Sequence, residues 1–368
     1  NNTSNYFTSP STPSLPPSET FHNRKHSYRV INKVDIQGGR VLDWNSHESL
    51  LVLSSLKPGT APTALGAPSS FGLTKISALD SSNPDFILLH DKMIRDVKFQ
   101  PSQSGLLMTT SLDKTLKLVN FKTNNVVHTF QLAAAAWACE WNAEDPNYFY
   151  CGQQKSIVMF DIRKTDSFIQ KFEAPVAHPT SSISFVSGHF KNKKIRGLLT
   201  STTPGVFFWD MDDGYKCHRL PLDGTCTHAT WDSATGFFVA SFRNTPIFSK
   251  PCHTVFELMD SSTVKELRTL HSESSTSITQ QVLSRSAIFS ASTEGYLQPS
   301  QDHPSRLTIA AGDEKTFNVM LWDCTEGYLI EKLCSHASPV LDLKHFGDQS
   351  VNFLASLSDT QLFIHKLQ

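Results

Sequence analysis

The side chains in this chain best suited to acid–base chemistry are two histidines with carboxylates downstream, His336 with Asp359 and His90 with Asp113. A histidine held by an aspartate titrates near neutrality, so either combination could move a proton if the fold joined its members over a substrate. A second set suits binding. The stretch "SGHFKNKKIRG" (187–197) is the one dense basic cluster, with Lys191, Lys193, Lys194 and Arg196, and such a run could grip nucleic-acid or phosphopeptide phosphates. No aromatic residue stands between Lys191 and Arg196 to stack bases, so a solvated hairpin tip without base-specific contacts is expected. Arg95, Trp137 and Arg163 are isolated residues of types that anchor protein interfaces.

Other catalytic signatures are absent. There is no G-x-G-x-x-G, no P-loop, no H-E-x-x-H and no G-x-S-x-G. The fifteen histidines and seven cysteines show no metal-ligand spacing, and no C-x-x-C occurs, so no cofactor is expected in this stretch. Most of the cysteines sit in apolar runs such as "WACEW" and "FYCGQ", which predicts reduced, buried thiols.

What must position these residues is a succession of short strands. "GLLMTTSLD", "KTLKLVNF", "SIVMFDIR", "GVFFWD", "RLTIAAGD" and "NFLASLSD" have strand length and are rich in β-branched and aromatic residues, with no sustained helical period. They repeat. His90 is followed at +4 by Ile94, at +7 by Val97 and at +9 by Phe99, and His336 has Val340 at +4 and Leu343 at +7. Asp113 ends one strand with Val119-Asn120 closing the next, and Asp359 stands six residues before His365. An aromatic-Asp pair recurs as Phe160-Asp161, Trp209-Asp210 and Trp322-Asp323. This resembles the WD-repeat family, whose unit is a four-stranded blade of ~40–45 residues.

In such a blade the histidine precedes the first strand, the aspartate turns after the second, and a strand-two hydroxyl joins them. The Trp of strand three buries its rings while its N–H finds a polar partner. His90, Asp113, Trp209, Trp322, His336 and Asp359 are therefore read as structural rather than catalytic. Gly327, five after Trp322, suits a turn of positive φ, and Asn124 fills that slot in blade two. The residues Lys114-Thr115-Leu116 after Asp113 do not match the Asp-box of sialidase-type propellers, so a propeller hydrolase is not expected.

Lettering strands a to d gives an all-β, seven-bladed propeller over 28–368: blades at roughly 40–90, 94–132, 136–174, 180–222, 225–271, 275–336 and 338–368. The last holds only three strands, and "YRVINKVDI" (Tyr28 to Ile36) is expected to supply the fourth, closing the ring without exposed sheet edges. Residues 1–27, rich in Ser, Thr, Pro and Asn, read as a disordered linker. Segments 57–70, 187–197, 243–253 and 292–306 interrupt the repeat as loops, where binding usually resides.

With 368 residues and a formal net charge of -1, the chain has no bulk electrostatic grip on nucleic acid or on an anionic membrane. No apolar run reaches the ~18 residues of a membrane span. It begins without Met, so a piece of a longer protein is expected.

Beyond the repeat positions, "IRDVKFQPSQSGLLMTTSLDKTLKLVNFKTNNVVHTFQL", continuing into "AWACEWNAEDPNYFYCGQQKSIVMFDIR", carries a narrower likeness. Together with "SRSAIF" and "AAGDEKTFNVMLWDCTEGYLIEKL", it is similar to the C-terminal propeller of RING-finger and WD-repeat E3 ubiquitin ligases of the Fanconi anaemia and replication-stress pathway. The resemblance implies a nuclear protein with an upstream zinc-binding RING that engages the E2. It also implies a propeller that recruits replication protein A on single-stranded DNA, with the RecA-type recombinase bound there, for ubiquitination in DNA repair. These residues would then be non-catalytic. "FDIR" (Phe160 to Arg163) also resembles the W-D-x-R docking motif of propellers serving cullin-based ligases, with Phe for Trp, although a simple structural ion pair is the expected role of Arg163.

Overall fold

The computed structural model describes residues 27–59, 71–77, 83–102, 104–190, 193–243, 250–272, 283–291, 306–347 and 351–368. The expected linker 1–26, with its Ser-Pro and Thr-Pro dipeptides, lies outside them, as do most of loops 57–70, 243–253 and 292–306. All regular structure among the described residues is β-strand.

The strands group in sequence order. Blade one is Leu42–Asn45, Leu50–Leu56, Phe71–Ser77 and Asp85–His90; blade two is Ile94–Phe99, Leu106–Ser111, Thr115–Asn120 and Asn125–Gln131. Blade three is Ala136–Trp141, Tyr148–Gln153, Ser156–Asp161 and Gln170–Glu173. Blade four is Ser182–Phe190, Lys193–Thr202, Gly205–Asp210 and Lys216–Arg219. Blade five is Cys226–Asp232, Phe237–Phe242, Cys252–Leu258 and Val264–His271; blade six is Ser286–Ala291, Arg306–Gly312, Val319–Asp323 and Leu329–Lys332. Each set forms one antiparallel four-stranded sheet.

Blade seven takes Val340–Gly347, Asn352–Ser358 and Gln361–Leu367 from the end of the chain and Tyr28–Asp35 from its beginning. Tyr28 lies opposite Leu367 and Asp35 opposite Gln361, so the N-terminal strand covers an edge that would otherwise present open backbone groups. Ser27 extends this by exchanging two backbone hydrogen bonds with Gln368, 3.1 and 3.0 Å. The Tyr28 amide also donates to the Glu331 carboxylate of blade six, 3.1 Å, which ties the closing strand to the neighbouring blade.

The seven a strands form a closed cycle, each touching the next and the last touching the first. Their inner edges face the axis, so their backbone N–H groups need partners from neighbouring blades. Aspartates supply three of them. Asp342 of blade seven accepts from Leu42 of blade one (2.9 Å), Asp43 from Phe99 of blade two (2.8 Å), and Asp96 of blade two from Cys139 of blade three (3.0 Å). Farther round, Ser182 Oγ bonds both the Ala229 amide and its carbonyl, and the Arg285 amide donates to the Leu341 carbonyl, 2.9 Å.

The apolar core is divided the same way. Seven buried clusters each lie between two neighbouring blades, such as Val186, Leu199 and Phe208 of blade four against Ala229, Phe238 and Phe256 of blade five. Fully buried side chains such as Trp141 and Phe238 each contribute ~1.5–3 kcal/mol. The turn residues behave as their types require: Gly327 has φ 80° and Asn124 φ 60°.

Closure by the first strand has a direct test. A chain starting at Gln37 is expected to lose its single cooperative melting transition or to aggregate, while one starting at Ser27 melts with the full chain. Equal melting of both would show that blade seven is complete without Tyr28–Asp35.

Candidate partner-binding site at the channel mouth

The polar repeat residues are absorbed in the scaffold. His90 Nδ1 lies 2.9 Å from Asp113 and its Nε2 lies 2.8 Å from Thr109 Oγ1, while Thr115 Oγ1 bonds Asp113 at 2.6 Å. Burial outweighs the carboxylate's pull and holds His90 below its usual pKa, so the neutral ring donates through Nδ1 and accepts at Nε2. Burial pushes the Asp113 carboxyl up, but bonds from His90 and Thr115 more than offset it and leave the group well below the carboxylate range. In blade four the Trp209 indole N–H donates to Thr200 Oγ1 at 3.1 Å. Trp322 is buried, with its ring 5.5 Å from that of His253.

Blade seven departs from the expected network. His336 bonds Ser356 Oγ (2.8 Å) and Ser358 Oγ (3.2 Å), and Ser356 also meets His365 Nε2 at 3.1 Å, so His365 stands where other blades carry Trp. Asp359 is exposed and takes Ser338 Oγ instead. The cause is turn length: residues 359–360 separate strands b and c here, against 112–114 in blade two, so the aspartate comes too early to reach the ring. His336 and Asp359 therefore form no acid–base pair.

The candidate binding residues fall in three places. Lys194 and Arg196 lie on the hairpin of blade four and are neutralised locally: Lys194 pairs with Glu144 at 2.7 Å, and Arg196 with Glu144 at 3.1 Å and with Asp212. Lys193 begins strand b of that hairpin, its side chain lying outside the described atoms, as does Lys191 altogether. Arg163 is exposed and doubly bonded to Asp161 (2.8 and 2.6 Å), with its guanidinium 5.4 Å from the Tyr148 ring. That is an ion pair within its own turn, braced by a cation–π contact.

Arg95 and Trp137 come together. Both are the extra residue of a β-bulge at the start of strand a. In blade two Ile94 pairs with Ser111 and Asp96 with Thr110, and in blade three Ala136 pairs with Gln153 and Ala138 with Gly152. A bulge re-aims its unpaired side chain; Arg95 lines a recess with Arg40, Thr227 and Arg285 of other blades, at the starts of the inner strands that mark the channel mouth. The Arg95 guanidinium lies 4.7 Å from the Trp137 ring centroid across the blade boundary, beside exposed Met93. Blades five and seven carry the same bulge, at Thr227 and Leu341.

Beside this pair lies Arg285. From just ahead of blade six it reaches Asp96 of blade two at 2.8 Å and Asp342 of blade seven at 3.5 Å, and it donates to the Arg95 carbonyl at 3.0 Å. Lys98 pairs with Glu140 at 3.2 Å and Lys344 with Asp43 at 2.7 Å, so the channel acids are bound to cations rather than poised for chemistry. Arg40, just ahead of blade one, stands at the same mouth, donating to the Leu283 carbonyl. Sequence reasoning missed Arg40 and Arg285, although both occupy the start of an inner strand ("GGRVLD", "LSRSAI"), as Arg95 does ("MIRDV").

A family model for the E3 ubiquitin-protein ligase RFWD3 WD40 domain matches residues 26–366. The chain is 28% identical over 366 residues to E3 ubiquitin-protein ligase RFWD3 of Homo sapiens, covering 95% of this chain and 45% of that protein. Against the protein of that name from Ailuropoda melanoleuca it is 28% identical over 370 residues, 96% of this chain and 45% of the relative. A shorter likeness, 28% over 138 residues, relates 36% of the chain to 12% of Maintenance of telomere capping protein 5 from Saccharomyces cerevisiae. The chain thus spans somewhat under half the length of the ligases it matches.

Two outcomes follow from the scaffold reading. Arg285→Met removes the cation from two buried carboxylates and is expected to cost ~3–5 kcal/mol in chemical denaturation, whereas Arg163→Ala leaves the unfolding midpoint unchanged. The buried rings of His253, His336, His345 and His365 are held at about 4 by burial, below an ordinary value near 6.5. Between those values the unfolded chain binds more protons, so stability is complete above ~6.5 and is lost as pH falls toward 4, at up to ~1.4 kcal/mol per pH unit for each ring. Denaturation midpoints at pH 7 and pH 5 measure this; equal midpoints would mean the rings are solvated.

Proposed function

The chain belongs to the family of the E3 ubiquitin-protein ligase RFWD3 WD40 domain, and from that we propose that it is the recruiting, non-catalytic propeller of a RING-type E3 ubiquitin ligase. In this reading it docks replication protein A on single-stranded DNA. Through it the RecA-type recombinase comes within reach of an upstream RING, which holds its own zinc and the E2. Ubiquitin transfer to these proteins then serves DNA-damage repair in the nucleus.

The observation that carries the reading is the Arg95–Trp137 pair at the channel mouth. Of the other candidate binding residues described, Arg163, Lys194 and Arg196 are held in ion pairs of their own, whereas this pair offers a planar cation stacked on an aromatic ring, the types that dominate interface energetics. Both are held by bulges on rigid inner strands, so little conformational entropy is lost when a partner seats on them. Direct DNA binding is not part of the proposal, because Lys194 and Arg196 of the basic hairpin are engaged by Glu144 and Asp212.

The fragment is expected to capture the replication protein A heterotrimer in a purified pull-down while transferring no ubiquitin with E1 and E2 alone. Arg95→Glu with Trp137→Ala should weaken capture at least ~10-fold without changing the melting temperature. Absence of capture by the folded wild-type fragment would overturn the recruiting role.

A further inference from the structure

The strand that closes the ring is latched at one end by a serine. Ser27 lies one residue ahead of Tyr28–Asp35, and its backbone exchanges two hydrogen bonds with Gln368, one residue past Gln361–Leu367. Its Oγ donates to Glu331 Oε1 on the outer strand of blade six at 2.5 Å, and the Tyr28 amide donates to Glu331 Oε2 at 3.1 Å. One carboxylate of the neighbouring blade thus takes both donors at the entry of the closing strand. Ser27 and Glu331 are each half-buried, so the latch stands at the surface. It also sits at the end of a paired strand, the part of a sheet that opens most readily.

The sequence through this point reads "RKHSYR" (Arg24 to Arg29). Arginine three residues and lysine two residues ahead of a serine form the charge pattern that arginine-directed serine kinases select. No other arginine of the chain is followed at that spacing by serine or threonine. The one serine with the kinase pattern is therefore the one whose hydroxyl ties the closing strand to blade six.

We propose that Ser27 is a phosphorylation site for arginine-directed kinases and that its modification unlatches the closing strand. Transfer breaks the bond between the γ-phosphorus of ATP and its bridging oxygen and forms an ester bond to Ser27 Oγ, releasing ADP and the hydroxyl proton. The ester oxygen then has no proton to donate to Glu331. In its place comes a group of nearly two negative charges facing a carboxylate, and like charges so placed repel. Burial and then the charge of Glu331 already push the Tyr28 phenol up, so the local field opposes a further anion. Modification takes the serine while the strand end is open and hinders its return. The proposal concerns closure of the ring and stands apart from the partner reading.

The test treats the whole 368-residue chain with the catalytic subunit of cAMP-dependent kinase and magnesium ATP. Phosphate is expected on Ser27, read by peptide mass, and absent from that peptide in Ser27→Ala. Amide exchange of Tyr28–Asp35 and Gln361–Leu367 should then speed up ~10-fold or more, with Tyr148–Gln153 of blade three unchanged. Ser27→Ala loses only the hydrogen bond and should exchange more slowly than the phosphorylated chain. In Glu331→Gln, phosphorylation should speed exchange less than ~3-fold, because the facing charge is gone. An unmodified Ser27 in the folded chain would overturn the proposal. So would a phosphorylated chain whose closing strand exchanges no faster than before, the result if Arg29 or Lys366, paired across the strands, takes up the phosphate. An effect undiminished by Glu331→Gln would likewise remove the latch.

Discussion

Everything in this molecule depends on how the inner edges of its sheets are satisfied. An antiparallel sheet that ends at an axis leaves a row of backbone N–H groups pointing at its neighbour or into the channel. The chain answers by placing a short acceptor at the start of strand a, aimed at the amide of the next blade: Asp342 to Leu42, Asp43 to Phe99, Asp96 to Cys139, Ser182 to Ala229. Those carboxylates then require cations, and Arg285 and Lys344 supply them, while Lys98 pairs with Glu140 of the next blade. The ring is therefore held by a buried charge network inside and by seven apolar clusters between blades, with the N-terminal strand closing the circle. Disturbing one blade boundary disturbs both systems.

The same constraint explains why histidine and aspartate at catalytic-looking spacing do no chemistry here. His90 and Asp113 are bound to each other and to two threonine hydroxyls, and burial keeps the ring neutral. His336 has lost its aspartate to a shorter turn and uses serines instead. A polar network inside a blade needs a set of matched donors and acceptors, and several sets meet that need. This is why Trp209 with Thr200 and His365 with Ser356 occupy comparable places.

Much of the architecture was legible in the sequence because it is local and periodic. Strand-length runs, the recurring aromatic-Asp pair, the positive-φ residues Gly327 and Asn124, and a final blade one strand short each have a physical cause that acts within a few residues. What could not be read was long-range in origin. The meeting of Arg95 and Trp137 needs two bulges in consecutive blades. The convergence of Arg40 and Arg285 on the same mouth needs the ring to close, since 245 residue positions separate them in sequence (285 minus 40). Asp359 was misplaced for a smaller reason: a turn shortened by one residue moves a side chain out of reach.

Placing function at the channel mouth assigns separate tasks to the two parts of the bulged inner strands of blades two and three: the buried part holds the ring together, and the bulged start carries Arg95 and Trp137. Hydroxyl-radical footprinting of this chain with and without the replication protein A heterotrimer measures that division most directly. Binding is expected to reduce oxidation of Met93 and Trp137 at the mouth while leaving the exposed Phe168 and Tyr328, just ahead of the outer strands of blades three and six, unchanged. Protection of Phe168 and Tyr328 with Met93 and Trp137 still fully reactive would contradict the account.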